Sequence, residues 1–125
     1  MELQARVALV TGAGSGIGKA AALALAQAGA TVGVLGHTRS EIEKTARDIQ
    51  DAGGRAIVLE ADVADEAAMR AAVDQLAEEA GQLDIVVANA GINGVWAPID
   101  DLKAEEWDQT IRVNLRGTFL TLNLT

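Results

Sequence analysis

Between Thr11 and Lys19 the chain carries four glycines, Gly12-Ala13-Gly14-Ser15-Gly16-Ile17-Gly18, directly behind the apolar run Val7-Ala8-Leu9-Val10 and ahead of an alanine-rich stretch. Glycine permits a tight turn and keeps Cβ atoms away from an approaching ligand. A helix starting behind it adds free N–H groups and partial positive charge. A strand, such a loop and a helix together make a cradle for a phosphate or pyrophosphate. The spacing of Gly12, Gly16 and Gly18 behind Thr11 is G-x-x-x-G-x-G rather than the G-x-G-x-x-G of many dinucleotide loops, and a simple turn remains the alternative.

Three further groups could meet a ligand. Asp62-Val63 follows a third apolar run, Asn89-Ala90-Gly91 follows a fourth, and Asn114 interrupts a helical apolar pattern in which a buried amide needs partners. For each, a structural role stays open: a turn or cap for Asp62, a turn for the Asn89 trio, a satisfied amide for Asn114. The chain has no cysteine, no tyrosine and one histidine, His37. No thiolate chemistry is therefore available, and no His, Cys or carboxylate grouping has metal-ligand spacing.

The elements that would position these groups alternate. Strand-like runs at Val7–Val10, Thr31–Leu35, Ala56–Leu59 and Ile85–Ala88 are separated by helical patterns, the signature of βαβ units and a parallel sheet. The first helix is expected from Lys19 to near Gly29. The second should open on a capping box at Ser40–Glu43 and close at Gly53-Gly54, and the third should start at Asp65. Trp107, Ile111, Leu115 and Phe119 recur every fourth residue, so the last segment reads as a helix with Trp107 in the core and a break at Gly117. The 125 residues, 50% of them hydrophobic, suffice for one domain with a core. The net charge of −8 argues against nucleic acid and anionic membrane surfaces, which call for a basic face. No signal peptide or membrane-spanning stretch is legible, and a cytoplasmic setting is expected.

Thr11-Gly12-x-x-x-Gly16-Ile17-Gly18, Asp62-Val63, Asn89-Ala90-Gly91 and Asn114, in that order, resemble the classical short-chain dehydrogenase/reductase family along essentially the whole chain. Ser15, standing where the extended, epimerase-like branch wants a glycine, disfavours that branch. The resemblance implies a Rossmann-type α/β fold, a parallel sheet with helices on both faces and strand order 3-2-1-4, of which residues 1–125 would be the N-terminal part. It implies hydride transfer between a nicotinamide cofactor and an alcohol or ketone. Cofactor contacts are implied at Thr11, Gly12, Ser15, Gly16, Ile17, Gly18, Asp62 (adenine), Val63, Asn89, Ala90 and Gly91. Asn114 would support catalysis by holding a water relay. Ala88 stands where many members carry an asparagine, so that contact is missing.

Cofactor choice should turn on the end of the second strand, Leu35-Gly36-His37-Thr38-Arg39-Ser40, which lacks the acidic residue that usually meets the ribose of NAD. Arg39 could instead pair with a 2′-phosphate, with His37 and Thr38 or Ser40 donating, so NADP is favoured and NAD is the alternative. Both Arg39 and His37 also read as ordinary loop residues, and Ser15 counts against NADP, since many NADP-preferring members have a basic residue in that loop. The family's serine and Tyr-x-x-x-Lys are absent from these residues. The chain is therefore expected to be the cofactor-binding part of a longer, homo-oligomeric oxidoreductase, inactive alone. The alternatives are a non-catalytic dinucleotide-binding or interaction module and, less well supported, a methyltransferase.

Overall fold

All five residues of β1 (Val7–Thr11) are buried, because this strand lies inside the sheet with a parallel neighbour on each side. A computed structural model describes residues 1–125 as β1, α1 (Gly16–Gln27), β2 (Thr31–Gly36), α2 (Arg39–Asp51), β3 (Arg55–Glu60), α3 (Glu66–Ala80), β4 (Ile85–Val87), α4 (Ala104–Ile111), a π-helical turn (Arg112–Arg116) and α5 (Gly117–Leu124). The sheet order is β3-β2-β1-β4, all parallel, with Val7 opposite Thr31, Thr31 opposite Arg55 and Ala8 opposite Ile85. The chain is thus an α/β Rossmann-type unit with the strand order the sequence led us to expect.

Alternation along the strands sends side chains to two apolar layers. Leu9, Leu35 and Leu59 meet Met69 and Leu76 of α3, while Val10, Val32 and Val34 meet Ala22 of α1 and Ile42 and Ile49 of α2. Burying each large aliphatic side chain contributes about 1.5–3 kcal/mol, which is why sheet and helices hold as a sandwich.

β4 pairs with β1 over only three positions, and side chains clamp both of its ends. Before the strand, the Val7 N–H donates to Asp84 Oδ2 (2.8 Å) and the Asp84 N–H to the Val7 carbonyl (2.9 Å). After it, Thr11 Oγ1 accepts from the N–H groups of Asn89 and Ala90, each at 3.0 Å. This turn ends the strand at Val87, one residue before the expected Ala88.

Several boundaries differ from the sequence expectation. α1 begins at Gly16 rather than Lys19, and α2 at Arg39 behind Thr38. The Ser40–Glu43 capping box does not form, because Glu43 Oε1 accepts from Arg39 Nε at 2.9 Å and Ser40 is already helical. α3 does start behind Asp65, whose side chain accepts from the Ala68 N–H. The C-terminal helix is not broken at Gly117, whose φ of −61° is helical; the irregularity is the π turn just before it. Nor is Trp107 core: it is 56% exposed, with Leu115 at 64% and Phe119 at 59%. The inward face of α5 is instead Gly117, Leu120 and Thr121, and at Gly117 the approach is close enough that a Cβ would lie 2.6 Å from Val63 Cγ2. No helix is long and apolar enough to cross a membrane.

Candidate functional site

At the carboxyl ends of the strands, where open α/β sheets bind ligands, lies a cleft of about 660 Å³. Gly12, Gly14, Ser15 and Ile17 form its floor. Gly36, His37, Thr38, Glu41 and Ile42 line the β2 side, Ala61, Asp62 and Val63 the end of β3, and Asn89–Ile92 with Gln109 and Val113 the β4 side.

The glycine loop and the Asn89 turn are built against each other. Asn89 Nδ2 donates to the carbonyls of Thr11 (3.3 Å) and Gly12 (3.4 Å). Gly12 has φ of +63°, and a Cβ there would sit 2.9 Å from Ala90 Cα; one on Gly18 would run into the Gly12 carbonyl. Thr11 is 1% exposed and lies beneath the cleft as the acceptor that joins loop to turn, while the exposed Gly16 and the buried Gly18 are not part of its lining. None of the backbone N–H groups from Gly14 to Gly18 finds an acceptor within the chain. A row of free donors at a helix start fits the pyrophosphate of a dinucleotide. Ile17, 81% exposed, stands on the first turn beside it.

Asp62 faces the cleft with one carboxylate oxygen accepting from the Ala64 N–H (2.9 Å) and the other ion-paired to Arg112 (3.0 Å). Partial burial opposes its ionisation, but the Ala64 N–H and the Arg112 guanidinium, with a smaller contribution from His37, outweigh that and hold the carboxyl below the ordinary carboxylate range. Val63 both lines the cleft and packs on Gly117.

Thr38 Oγ1 and His37 Nδ1 lie 3.3 Å apart at the β2 edge. Arg39 is placed differently from the sequence expectation. It does not line the cleft, and its guanidinium reaches Glu43 (2.9 Å) and Glu60 (3.4 Å), whose hydrogen bonds raise its pKa further. Asn114 also stands behind the lining. Its Oδ1 accepts from the Ile92 N–H (2.7 Å) and its Nδ2 donates to the Ile92 carbonyl (2.8 Å), so the π turn grips the segment after Gly91.

Glu41 and Arg112 escaped the sequence reading. Glu41 read as a member of the capping box, and nothing local marks Arg112, whose partner is fifty residues away in sequence. Ile92, Gln109 and Val113 carry no distinctive chemistry and are found only through the fold.

The sequence pattern described as short chain dehydrogenase matches residues 6–125. The chain superposes with a TM-score of 0.93 and 71% identity on a 3-ketoacyl-ACP reductase from Sinorhizobium meliloti 1021, covering 95% of this chain and 47% of that one. It also superposes on an NAD+-bound xylitol dehydrogenase (TM-score 0.96, 32% identity, covering 99% of this chain and 48% of that one). A short chain dehydrogenase from Burkholderia cenocepacia J2315 in complex with NADP matches at TM-score 0.92 and 40% identity, covering 99% of this chain and 51% of that one. The curated relatives named as dehydrogenases or reductases reach 46% identity, and the chain spans about half of their length.

Proposed function

The chain belongs to the short chain dehydrogenase family, and from that premise we propose that residues 1–125 are the cofactor-binding part of an NAD(P)-dependent oxidoreductase acting on a small alcohol or ketone. The observation that carries the reading is the row of free N–H groups from Gly14 to Gly18 at the start of α1, of which Gly14, Ser15 and Ile17 line the cleft. These donors hold the pyrophosphate, Asp62 receives the adenine amino group, and the Asn89–Gly91 turn borders the nicotinamide ribose. Asn114 acts through Ile92, fixing the turn that forms this wall. When bound, the cofactor supplies or accepts a hydride.

Reducing a ketone also requires a proton at the developing alkoxide. The ionisable groups lining the cleft are His37, Glu41 and Asp62, all on its β2 and β3 sides, and none lies on the β4 side where that oxygen would form. The family resemblance implies a tyrosine, in a Tyr-x-x-x-Lys pair assisted by a serine, as the proton donor, and these 125 residues contain no tyrosine. The NADP preference read from Arg39 loses its main support, since that guanidinium is engaged by two carboxylates outside the cleft.

Titration of the full-length protein with NADH and NADPH, followed by nicotinamide fluorescence, tests the reading. Saturable binding is expected, and Ser15→Trp should abolish it while leaving the melting temperature unchanged, because Ser15 is exposed and its side chain makes no cap hydrogen bond. Residues 1–125 alone should show no ketone reduction. Absence of dinucleotide binding, or turnover by the verified segment alone, would overturn it.

A further inference from the structure

We propose that Glu41 recognises the adenosine ribose and makes the site select NAD(H) over NADP(H); the inference rests on the dinucleotide reading of the cleft. The pyrophosphate position at the start of α1 divides the cleft, and in dinucleotide folds the adenosine ribose lies toward the second strand, where an acidic residue roughly 20 positions beyond the glycines meets its 2′-hydroxyl. In this chain that strand ends in Gly36, which has no side chain to offer. The fold supplies the carboxylate from the next element. α2 starts immediately, at Arg39, and its first turn carries Glu41 back over the glycine loop. There it lines the cleft beside Gly36, His37 and Thr38. The approach is close, since a Cβ on Gly14 would lie 2.8 Å from Glu41 Cβ and 3.0 Å from Glu41 Oε2.

The charges at this corner point the same way. Glu43 and Glu60 are engaged by Arg39, whereas Glu41 forms no ion pair. This corner thus holds three carboxylates and one guanidinium, and that guanidinium is held by Glu43 and Glu60 and does not line the cleft. His37, whose Nδ1 is near Thr38 Oγ1, is the remaining group there that could carry positive charge. A ribose 2′-hydroxyl can donate to a carboxylate with unused acceptor sites. A 2′-phosphate is itself acceptor-only and carries up to two negative charges, so in the same place it is repelled.

Equilibrium titration of the full-length protein should give NADH at least about tenfold tighter than NADPH, the scale of one charge-assisted hydrogen bond gained or lost. Glu41→Gln should narrow that ratio by about tenfold, mostly by tightening NADPH. Glu41 is exposed, and a melting curve will show whether the variant is folded. A second measurement needs no variant: by calorimetry the unmodified protein should bind 5′-AMP more tightly than adenosine 2′,5′-bisphosphate. Equal affinity for the two dinucleotides, an unchanged ratio in folded Glu41→Gln, or an NADPH preference lost on Arg39→Ala would overturn the role of Glu41 and leave the cofactor site standing. Binding of neither dinucleotide would remove the cofactor reading itself.

Discussion

Residues 7–80 and residues 85–125 solve the same packing problem to different degrees. In the first region β1 and β2 are covered on both faces, α1, α2 and α3 each bury an apolar stripe, and the largest fully buried side chains, from Leu9 to Leu76, all belong to it. In the second, β4 is a half-buried edge strand of three residues, and apart from Met1 and Ile17 at the start of α1 every exposed large hydrophobic, from Ile92 and Trp96 to Phe119 and Leu122, falls there. Apolar residues recur at helical spacing in both, as in Ile42, Ala46 and Ile49 of the first and Trp107, Ile111, Leu115 and Phe119 of the second. Periodicity therefore reports that a segment is amphipathic, but not which stripe the tertiary structure covers. The candidate site sits on the seam, with its floor from the closed region and its far wall from the open one.

The contrast can be put to measurement. The largest effect is expected in the closed region: Leu9→Ala, at a fully buried position, should cost about 2–5 kcal/mol in denaturant unfolding, through lost transfer energy and the cavity left behind. A loss below about 1 kcal/mol would mean that this core is loosely packed.

Next comes the seam. Thr11→Val keeps the shape of the side chain but leaves the Ala90 N–H without its acceptor and the Asn89 N–H with the Val87 carbonyl alone, so it should cost about 1–3 kcal/mol. Hydrogen exchange should rise at residues 89–92 well before it rises in β2. Uniform acceleration across the sheet would show that the seam is not a separate boundary.

A smaller effect is expected from pH. The folded pKa of Asp62 is depressed, so its stabilising contribution is fully present above its unfolded pKa of about 4 and is lost as pH falls through the lower folded value. Its side chain is 40% exposed, so solvent screening limits the contribution to less than about 1 kcal/mol. In Asp62→Asn the decline of stability on acidification below about pH 4 should be shallower than in the unmodified protein. Identical slopes would show that the Arg112 pair contributes nothing to holding the C-terminal helix against β3.

The smallest change is predicted for the open face. Leu115→Ala, at a position 64% exposed, should move the stability of residues 1–125 by no more than about 0.5 kcal/mol. A cost like that of Leu9→Ala would mean that this stripe is packed after all, and the comparison would fail.

Order and type of the elements follow from local facts in the chain. Strand-forming runs alternating with helical stripes demand βαβ crossovers, and short crossovers with a fixed hand leave few arrangements. The glycine loop was legible for a similar reason: glycines between a strand and a helix state their backbone chemistry in one dimension. The pairing of loop to turn through Thr11 and Asn89 was not legible, because each amide finds its acceptor across more than seventy residues. The fates of the charged residues were equally hidden. Arg39 looked like a phosphate ligand until Glu60, brought alongside by the pairing of β2 with β3, claimed it together with Glu43. Glu41 was only an intervening residue of the expected Ser40–Glu43 capping box until the first turn of α2 carried it over Gly14. Backbone propensity and apolar spacing act between near neighbours, so the sequence alone determined the elements and the glycine loop. Ion pairs and the choice of covered stripe depend on distances that exist only after the sheet has assembled, so the tertiary structure decided which charges face the cleft and which helix face stays open.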